Sequence, residues 1–260
     1  MKKYQQVFKI SARNQIVYLP SFLTSNLFFV LIVFIFSTLW KAIYDGEALL
    51  AGLTLTQVIW YLTLTEVVAL SVTNVFRPIQ EEVKDGTIVY TLLRPFSYIL
   101  YIFSRAMGQN LVKMGPMLLE AFVLGTLFVG YLPGYFTAIP FGLPLIIGGF
   151  AIATLWQIII GLLAFWFEEV APFYWIIQKL IFILGGMFFP IDLFPRWMQG
   201  FSKASPFAFS TYWPAITIVQ FSLESFVICL FGQLIYGSLL FGISLVIFRA
   251  AWRKVHVQGG

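Results

Sequence analysis

Three charged residues lie inside long apolar stretches of the sequence, at Glu66, Glu120 and Lys179. A carboxylate or ammonium group exposed to hydrocarbon costs on the order of several kcal/mol. We therefore expect each side chain to face the protein interior, a partner subunit or water, which makes all three candidates for lining a polar substrate path. The structural alternative is a buried charged pair, or a position close to the membrane surface.

The familiar signatures of catalysis do not occur in the sequence. His256 is the single histidine, so the chain cannot supply a histidine-rich zinc site. The sequence contains neither a GxxxxGK[ST] phosphate-binding loop nor a GxSxG nucleophile motif. We expect no catalytic residue, metal site or cofactor on this chain.

The composition predicts an integral membrane protein. Apolar residues make up 60% of the chain and charged residues only 10%, which is far too few for the surface of a soluble domain. The apolar runs are continuous over about 20 residues, as a helix that crosses the bilayer requires. Strands of a membrane barrel would alternate polar and apolar residues instead. The predicted fold class is therefore all-α.

The runs predict one transmembrane domain, residues 1–260, with six transmembrane helices. Their predicted bounds are 20–44, 53–76, 114–132, 143–167, 172–189 and 221–248. The preceding segment, 1–19, carries polar residues on one helical stripe, namely Lys2, Gln6, Lys9 and Arg13. This pattern is typical of an amphipathic elbow helix that lies in the membrane interface with its apolar side toward the acyl chains.

Basic residues indicate the orientation. Lys and Arg are concentrated in 1–19, in the connector 77–113 and in the C-terminal tail, whereas the opposite side holds Lys41, Arg196 and Lys203. The positive-inside rule then places both termini and the 77–113 loop in the cytoplasm, with the protein in the cell membrane. The net charge of +5 fits an anionic membrane surface rather than nucleic acid.

The connector 77–113 has an unusual pattern. Charged residues precede Gly86, and an apolar run from Ile88 to Leu93 then ends at Arg94-Pro95. A solvated loop has little use for these apolar side chains, whereas a short helix on the membrane or in the groove of a partner would bury them.

A second irregular segment, 190–214, follows the fifth predicted span. Gly185 and Gly186 interrupt the end of that span, Pro190 and Pro195 bracket a turn, and Trp197 begins an amphipathic piece. Irregular backbone at membrane depth must be covered by protein or line a water-filled cavity. The pattern favours a partly re-entrant outer cap, with a long external loop as the alternative.

Together with the elbow and the six spans, the stretches EEVKDGTIVYTLLRP and GGMFFPIDLFPRWMQGFSKASP resemble the permease subunits of type-2 ATP-binding-cassette (ABC) exporters. The likeness includes the branch whose permeases work with a separate ATPase. It implies a coupling helix within residues 81–93 that transmits movement of the ATPase to the spans. The residues it assigns to ATPase coupling are Glu81, Glu82, Lys84, Asp85, Gly86, Thr87, Leu92, Leu93 and Arg94.

The resemblance also implies the partners and the activity. A second permease, identical or related, would complete a translocation path in the lipid bilayer, and a cytoplasmic ABC ATPase would bind ATP and Mg. The expected activity is ATP-driven export of a drug-like, lipid-like or other amphipathic substrate, with no enzyme activity on this chain. Two alternatives stay open: an ion-coupled secondary transporter, and a membrane-embedded enzyme or assembly factor.

Overall fold

The chain is helical throughout the part that the computed structural model describes, residues 2–17 and 19–253, which confirms the all-α prediction. Within these ranges there is no β-strand, and only an isolated bridge joins Leu50 and Leu53. The α-helices are α1 (Lys2–Val17), α2 (Leu19–Tyr44), α3 (Leu55–Ser71), α4 (Phe76–Lys84), α5 (Ile88–Leu92), α6 (Tyr98–Val129), α7 (Tyr135–Leu162), α8 (Ala171–Leu184), α9 (Arg196–Ala204), α10 (Tyr212–Val219) and α11 (Leu223–Trp252). Short 3-10 turns lie at Leu163–Phe165 and Ile191–Leu193.

Five helical segments of the described chain are long and apolar enough to cross a membrane. They are Asn26–Tyr44, Leu55–Lys84, Tyr98–Val129, Tyr135–Phe165 and Leu223–Trp252. The fifth predicted span corresponds to α8, which has only 14 residues. At 1.5 Å per residue such a helix is about 21 Å long, which is less than the roughly 30 Å of hydrocarbon in a bilayer.

Helix α6 corrects the predicted loop 77–113, because residues 98–113 of that loop are helical. The helix begins at Tyr98, well before the predicted start of the span at 114. Its first turns bury Ile99, Ile102 and Ala106 in an apolar cluster with α4 and α7. Interspersed charges such as Arg105 made this stretch look like a connector, but they lie at helical spacing beside a buried face.

Helices α3 and α7 form the centre of the bundle. Of the candidate span that contains α3, 72% is buried, and the same holds for the span of α7, against 22% for α6 and for α11. Helix α3 buries apolar side chains on every side, which is the pattern of a helix surrounded by protein, and the polar Thr63, Thr65 and Glu66 are buried with them. The outer faces of α6 and α11 expose large apolar side chains such as Leu127 and Val246, as lipid contact requires.

The second predicted span, 53–76, is broken near one end, because α3 ends at Ser71 and α4 begins at Phe76. Side chains from other helices replace the lost helical hydrogen bonds. The Thr73 N–H donates to Asn110 Oδ1 (2.8 Å), and the Val75 N–H donates to Gln157 Oε1 (2.7 Å). A buried backbone break requires such partners, since an unpaired buried N–H costs about 1–3 kcal/mol.

Helix α1 packs against α6 rather than standing apart from the bundle. A Cβ at Gly108 of α6 would collide with the Phe8 carbonyl oxygen, so only glycine permits this approach. The Ser97 N–H donates to Tyr4 Oη (2.9 Å) at the start of α6, and Ser11 is buried. The face of α1 expected to meet acyl chains is therefore partly occupied by protein.

We expect Gly108→Ala to lower the unfolding temperature and Gly115→Ala not to. The added methyl at Gly108 overlaps backbone of α1, and overpacking of this kind costs about 1–3 kcal/mol. Gly115 lies on the same helix with nothing within 4 Å of an added Cβ, so it is the matched control. Thermal unfolding of both variants in one detergent tests this, and equal unfolding temperatures would contradict the close packing of α1 on α6.

Candidate functional site

The predicted coupling segment forms two short helices, α4 and α5, joined by a turn at Gly86. Gly86 has φ +69°, in the left-handed region that favours glycine, and its N–H donates to the Val83 carbonyl (3.2 Å). Ile88 at the start of α5 is buried, whereas Tyr90 and Leu93 beyond it are 73% and 78% exposed. One side of this segment is therefore anchored in the protein and the other is free.

Helix α4 is bound to the turn between α7 and α8. Gln80 Oε1 accepts the Val170 N–H (3.1 Å), and Gln80 Nε2 donates to Glu169 Oε2 (3.2 Å). Gln80 and Val170 are both buried, so the bond between them is shielded from water, whereas Glu169 is exposed. A motion of α4 would consequently be transmitted to the start of α8.

Glu169 reinforces this contact. The Ala171 N–H, followed by Gln80 and the Lys84 ammonium group, holds the pKa of the Glu169 carboxyl below its ordinary value. The ionised carboxylate is thus the bonded form, and its contribution is lost as the pH falls into the acidic range. Lys84 Nζ lies 3.4 Å from Glu169 Oε2, but both side chains are about half exposed, so the ion pair itself is worth little.

The residues assigned to coupling all lie in or next to this segment, but their environments differ. Glu82 is half-buried and accepts a hydrogen bond from Tyr98 Oη (2.9 Å), which fixes α4 to α6. Leu92 lies in α5. The exposed members are Glu81, Lys84, Asp85, Gly86, Thr87, Leu93 and Arg94.

A cavity of about 370 Å³ lies among α2, α3, α7 and α8. Glu66 of α3 and Lys179 of α8 both line it, together with aromatic and amide side chains. Glu66 is only 4% exposed, whereas Lys179 is exposed and its ammonium group lies 5.8 Å from the centre of the Phe182 ring. Glu120 is on α6 and does not line this cavity, and its Oε2 is buried without a hydrogen-bond partner in the described structure.

The irregular segment after α8 has its polar groups covered by protein. Thr211 Oγ1 donates to the Gly185 carbonyl (2.7 Å), and Tyr61 Oη of the central helix α3 donates to the Gly186 carbonyl (2.6 Å). These bonds satisfy the carbonyls that the end of α8 leaves free. Pro190 precedes the 3-10 turn, Pro195 precedes α9, and Trp197 is 79% exposed.

Asp192 holds the rest of the segment 190–214 together. Its carboxylate lies 2.7 Å from Lys203 Nζ of α9 and accepts a hydrogen bond from Tyr212 Oη of α10 (2.9 Å). Trp213 Nε1 donates to the Lys203 carbonyl (2.9 Å). The segment is thus a folded unit packed on the bundle and not an extended loop.

Sequence reasoning missed the amide side chains that organise the site. Gln80, Asn110 and Gln157 each bond backbone or side-chain groups of another helix, and all three are buried. For Gln157 a signal was available, since an amide inside an apolar run has few reasons to be there, whereas Gln80 and Asn110 lie among charged residues in the connector and carry no such signal. A search restricted to charged residues does not register neutral amides.

The fold is that of a helical protein with five helical segments, in the described residues, that are long and apolar enough to cross a membrane. The sequence matches the family model described as ABC-2 family transporter protein over residues 27–259, and no curated protein matches it. The chain belongs to this family, which makes it a transmembrane permease of an ABC transporter. Family membership implies association with an ABC ATPase, and the permease is the membrane component and not the catalytic one.

We expect Gln80→Leu to destabilise the protein by about 1–3 kcal/mol, because the buried Val170 N–H loses its acceptor. Glu81→Gln, one residue further along α4 and exposed, should change the stability by less than about 0.5 kcal/mol. Thermal unfolding of both variants in detergent measures the difference. If Gln80→Leu unfolds at the wild-type temperature, α4 is not held to the α7–α8 turn by this side chain.

Proposed function

We propose that this permease pairs with a second, identical or related permease, and that a separate ABC ATPase drives export by moving the segment 76–93. One observation carries the proposal: this segment has a free face and is hydrogen-bonded to the helices that line the cavity. Gln80 connects it to the start of α8, and the N–H of Val75, directly before the segment, is bonded to Gln157 of α7. Glu82 connects the segment to α6, which does not line the cavity.

These connections support a mechanical role. A force on the exposed face of α4 and α5 would be transmitted through these hydrogen bonds to α7 and α8, both of which line the cavity. A solvated loop would absorb the same force in its own dihedral angles. The exposed coupling residues, Glu81 and Arg94 among them, form the proposed contact with the ATPase, which would bind ATP and Mg.

The proposed topology has six crossings, both termini in the cytoplasm and α1 as the interfacial elbow, in the cell membrane. The distribution of basic residues supports it, because an even number of crossings is needed to bring 1–19, 77–113 and the C-terminal tail to one side. Helix α8 is too short to cross alone. We propose that the covered segment 185–214, the outer cap, completes this crossing. The carbonyls at its start accept hydrogen bonds from Tyr61 and Thr211.

The cavity is the proposed substrate path within this subunit, and Glu66 and Lys179 are its charged lining. None of the residues of α8 is buried, although this helix forms one wall of the cavity. Contact with the second permease across α8 would enclose the path. Glu120 faces away from this cavity, so we propose a role in packing or in another contact for that residue. The mostly apolar walls favour an amphipathic substrate, drug-like or lipid-like.

We expect Gly86→Val to uncouple ATP hydrolysis from transport. A β-branched residue at φ +69° is strained by about 1–2 kcal/mol, which corresponds to about a tenfold loss of coupled transport if the turn must keep its shape. Gly46→Val is the matched control, because Gly46 has φ +90° and, like Gly86, has nothing within 4 Å of an added Cβ.

The measurement compares ATP hydrolysis and cargo export by membranes that contain the permease with its co-purifying ATPase. Both variants should reach the membrane in wild-type amounts, and only Gly86→Val should lose coupling. Wild-type coupling in Gly86→Val would overturn the assignment of the coupling segment. Transport by the purified permease without any nucleotide would favour a secondary transporter instead.

A further inference from the structure

Glu66 has no partner for its charge in the described part of the chain. Its side chain is 4% exposed, lines the cavity, and takes part in no hydrogen bond or ion pair there. The residues next to it on α3, Val67 and Val68, are apolar and buried. A buried carboxylate is normally paired, because an isolated one is costly in a medium of low dielectric constant. A cation that enters the cavity would remove this cost.

The walls of the cavity suit an organic cation. Aromatic rings surround the space, contributed by Phe28, Trp156, Tyr174, Trp175 and Phe182. The faces of such rings attract cations through their quadrupoles, and the attraction increases away from water. The volume of about 370 Å³ is within the range of sites for small organic molecules.

Trp156 adds a free hydrogen-bond donor. Its Nε1 is buried without a partner in the described structure, although the ring lines the cavity and stacks on Phe207 at 5.5 Å. A buried indole N–H usually has an acceptor. The residues that line the cavity thus include an unpaired carboxylate, Glu66, with which a bound cation can pair, and an indole N–H without a partner in the described structure.

Lys179 is the one lining residue that carries a positive charge, as a bound cation would. It differs from Glu66 in its exposure to solvent. Lys179 is exposed, and its ammonium group lies near the Phe182 ring. Solvent and salt screen an exposed charge far more than a buried one. The interior of the cavity is therefore electrostatically dominated by Glu66, and the cationic end of a ligand is expected there.

We propose that this cavity binds an amphipathic organic cation whose positive charge pairs with the Glu66 carboxylate. The inference rests on the proposed function in taking the cavity as the substrate path, and it specifies the substrate class. Neutral and anionic molecules of the same shape would leave Glu66 unpaired and would bind more weakly.

Binding of tetraphenylphosphonium to the purified full chain in phosphatidylcholine nanodiscs tests the proposal, with tetraphenylborate as an anion of similar shape. We expect saturable binding of the phosphonium by the wild type above that of empty nanodiscs, and no such binding of the borate. Glu66→Gln should weaken phosphonium binding about tenfold or more, as loss of a charge-assisted contact does. Glu120→Gln, a carboxylate outside the cavity, should bind as the wild type does, and Lys179→Met should bind equally or more tightly.

Equal phosphonium binding by the wild type and Glu66→Gln, or equal binding of the borate and the phosphonium by the wild type, would overturn the proposal. If Glu66→Gln does not yield folded protein, Glu66→Asp keeps the charge and should still prefer phosphonium, with weaker binding. The assay contains no ATPase and no nucleotide. If the protein exports cargo with nucleotide but does not bind the phosphonium, only the cation site is overturned. If it binds the phosphonium but shows no nucleotide-coupled transport, only the proposed function is overturned.

Discussion

Polar groups inside a bilayer must find their partners within the protein, because hydrocarbon offers none. The described structure meets this requirement largely with uncharged side chains. Gln157 and Asn110 bond the backbone where α3 ends, and Tyr61 and Thr211 bond the carbonyls where α8 ends. The backbone at these two helix ends is thus bonded to side chains from other parts of the chain.

The same contacts connect the parts of the molecule that the proposed function requires to move together. The break between α3 and α4 allows α4 to turn away from the central helix, while Gln80 keeps it attached to the start of α8. The cavity lies between these elements and receives side chains from α2, α3, α7 and α8. The proposed coupling segment is therefore joined through hydrogen bonds to helices that line the cavity, although the segment itself does not line it.

Membership of the ABC-2 family accounts for the general architecture, and the local chemistry gives this chain its particular properties. Gln157, Ser210 and Thr211 of the cavity lining form hydrogen bonds, whereas the Glu66 carboxylate and the Trp156 N–H have no partner in the described structure. An unpaired buried group lowers the stability of the protein. Such a group is explained most simply by a ligand that pairs with it during the transport cycle.

The sequence alone determined the helical membrane class and the family, because uninterrupted apolar runs and short motifs depend on local composition. Only the tertiary structure decided that α6 begins at Tyr98, that the second span is broken at residues 72–75, and that Glu66 and Lys179 share a cavity which Glu120 does not reach. The partners at the break are 37 and 82 residues apart in the sequence. Hydropathy reports how each segment interacts with lipid, whereas such pairings depend on how the helices pack against one another.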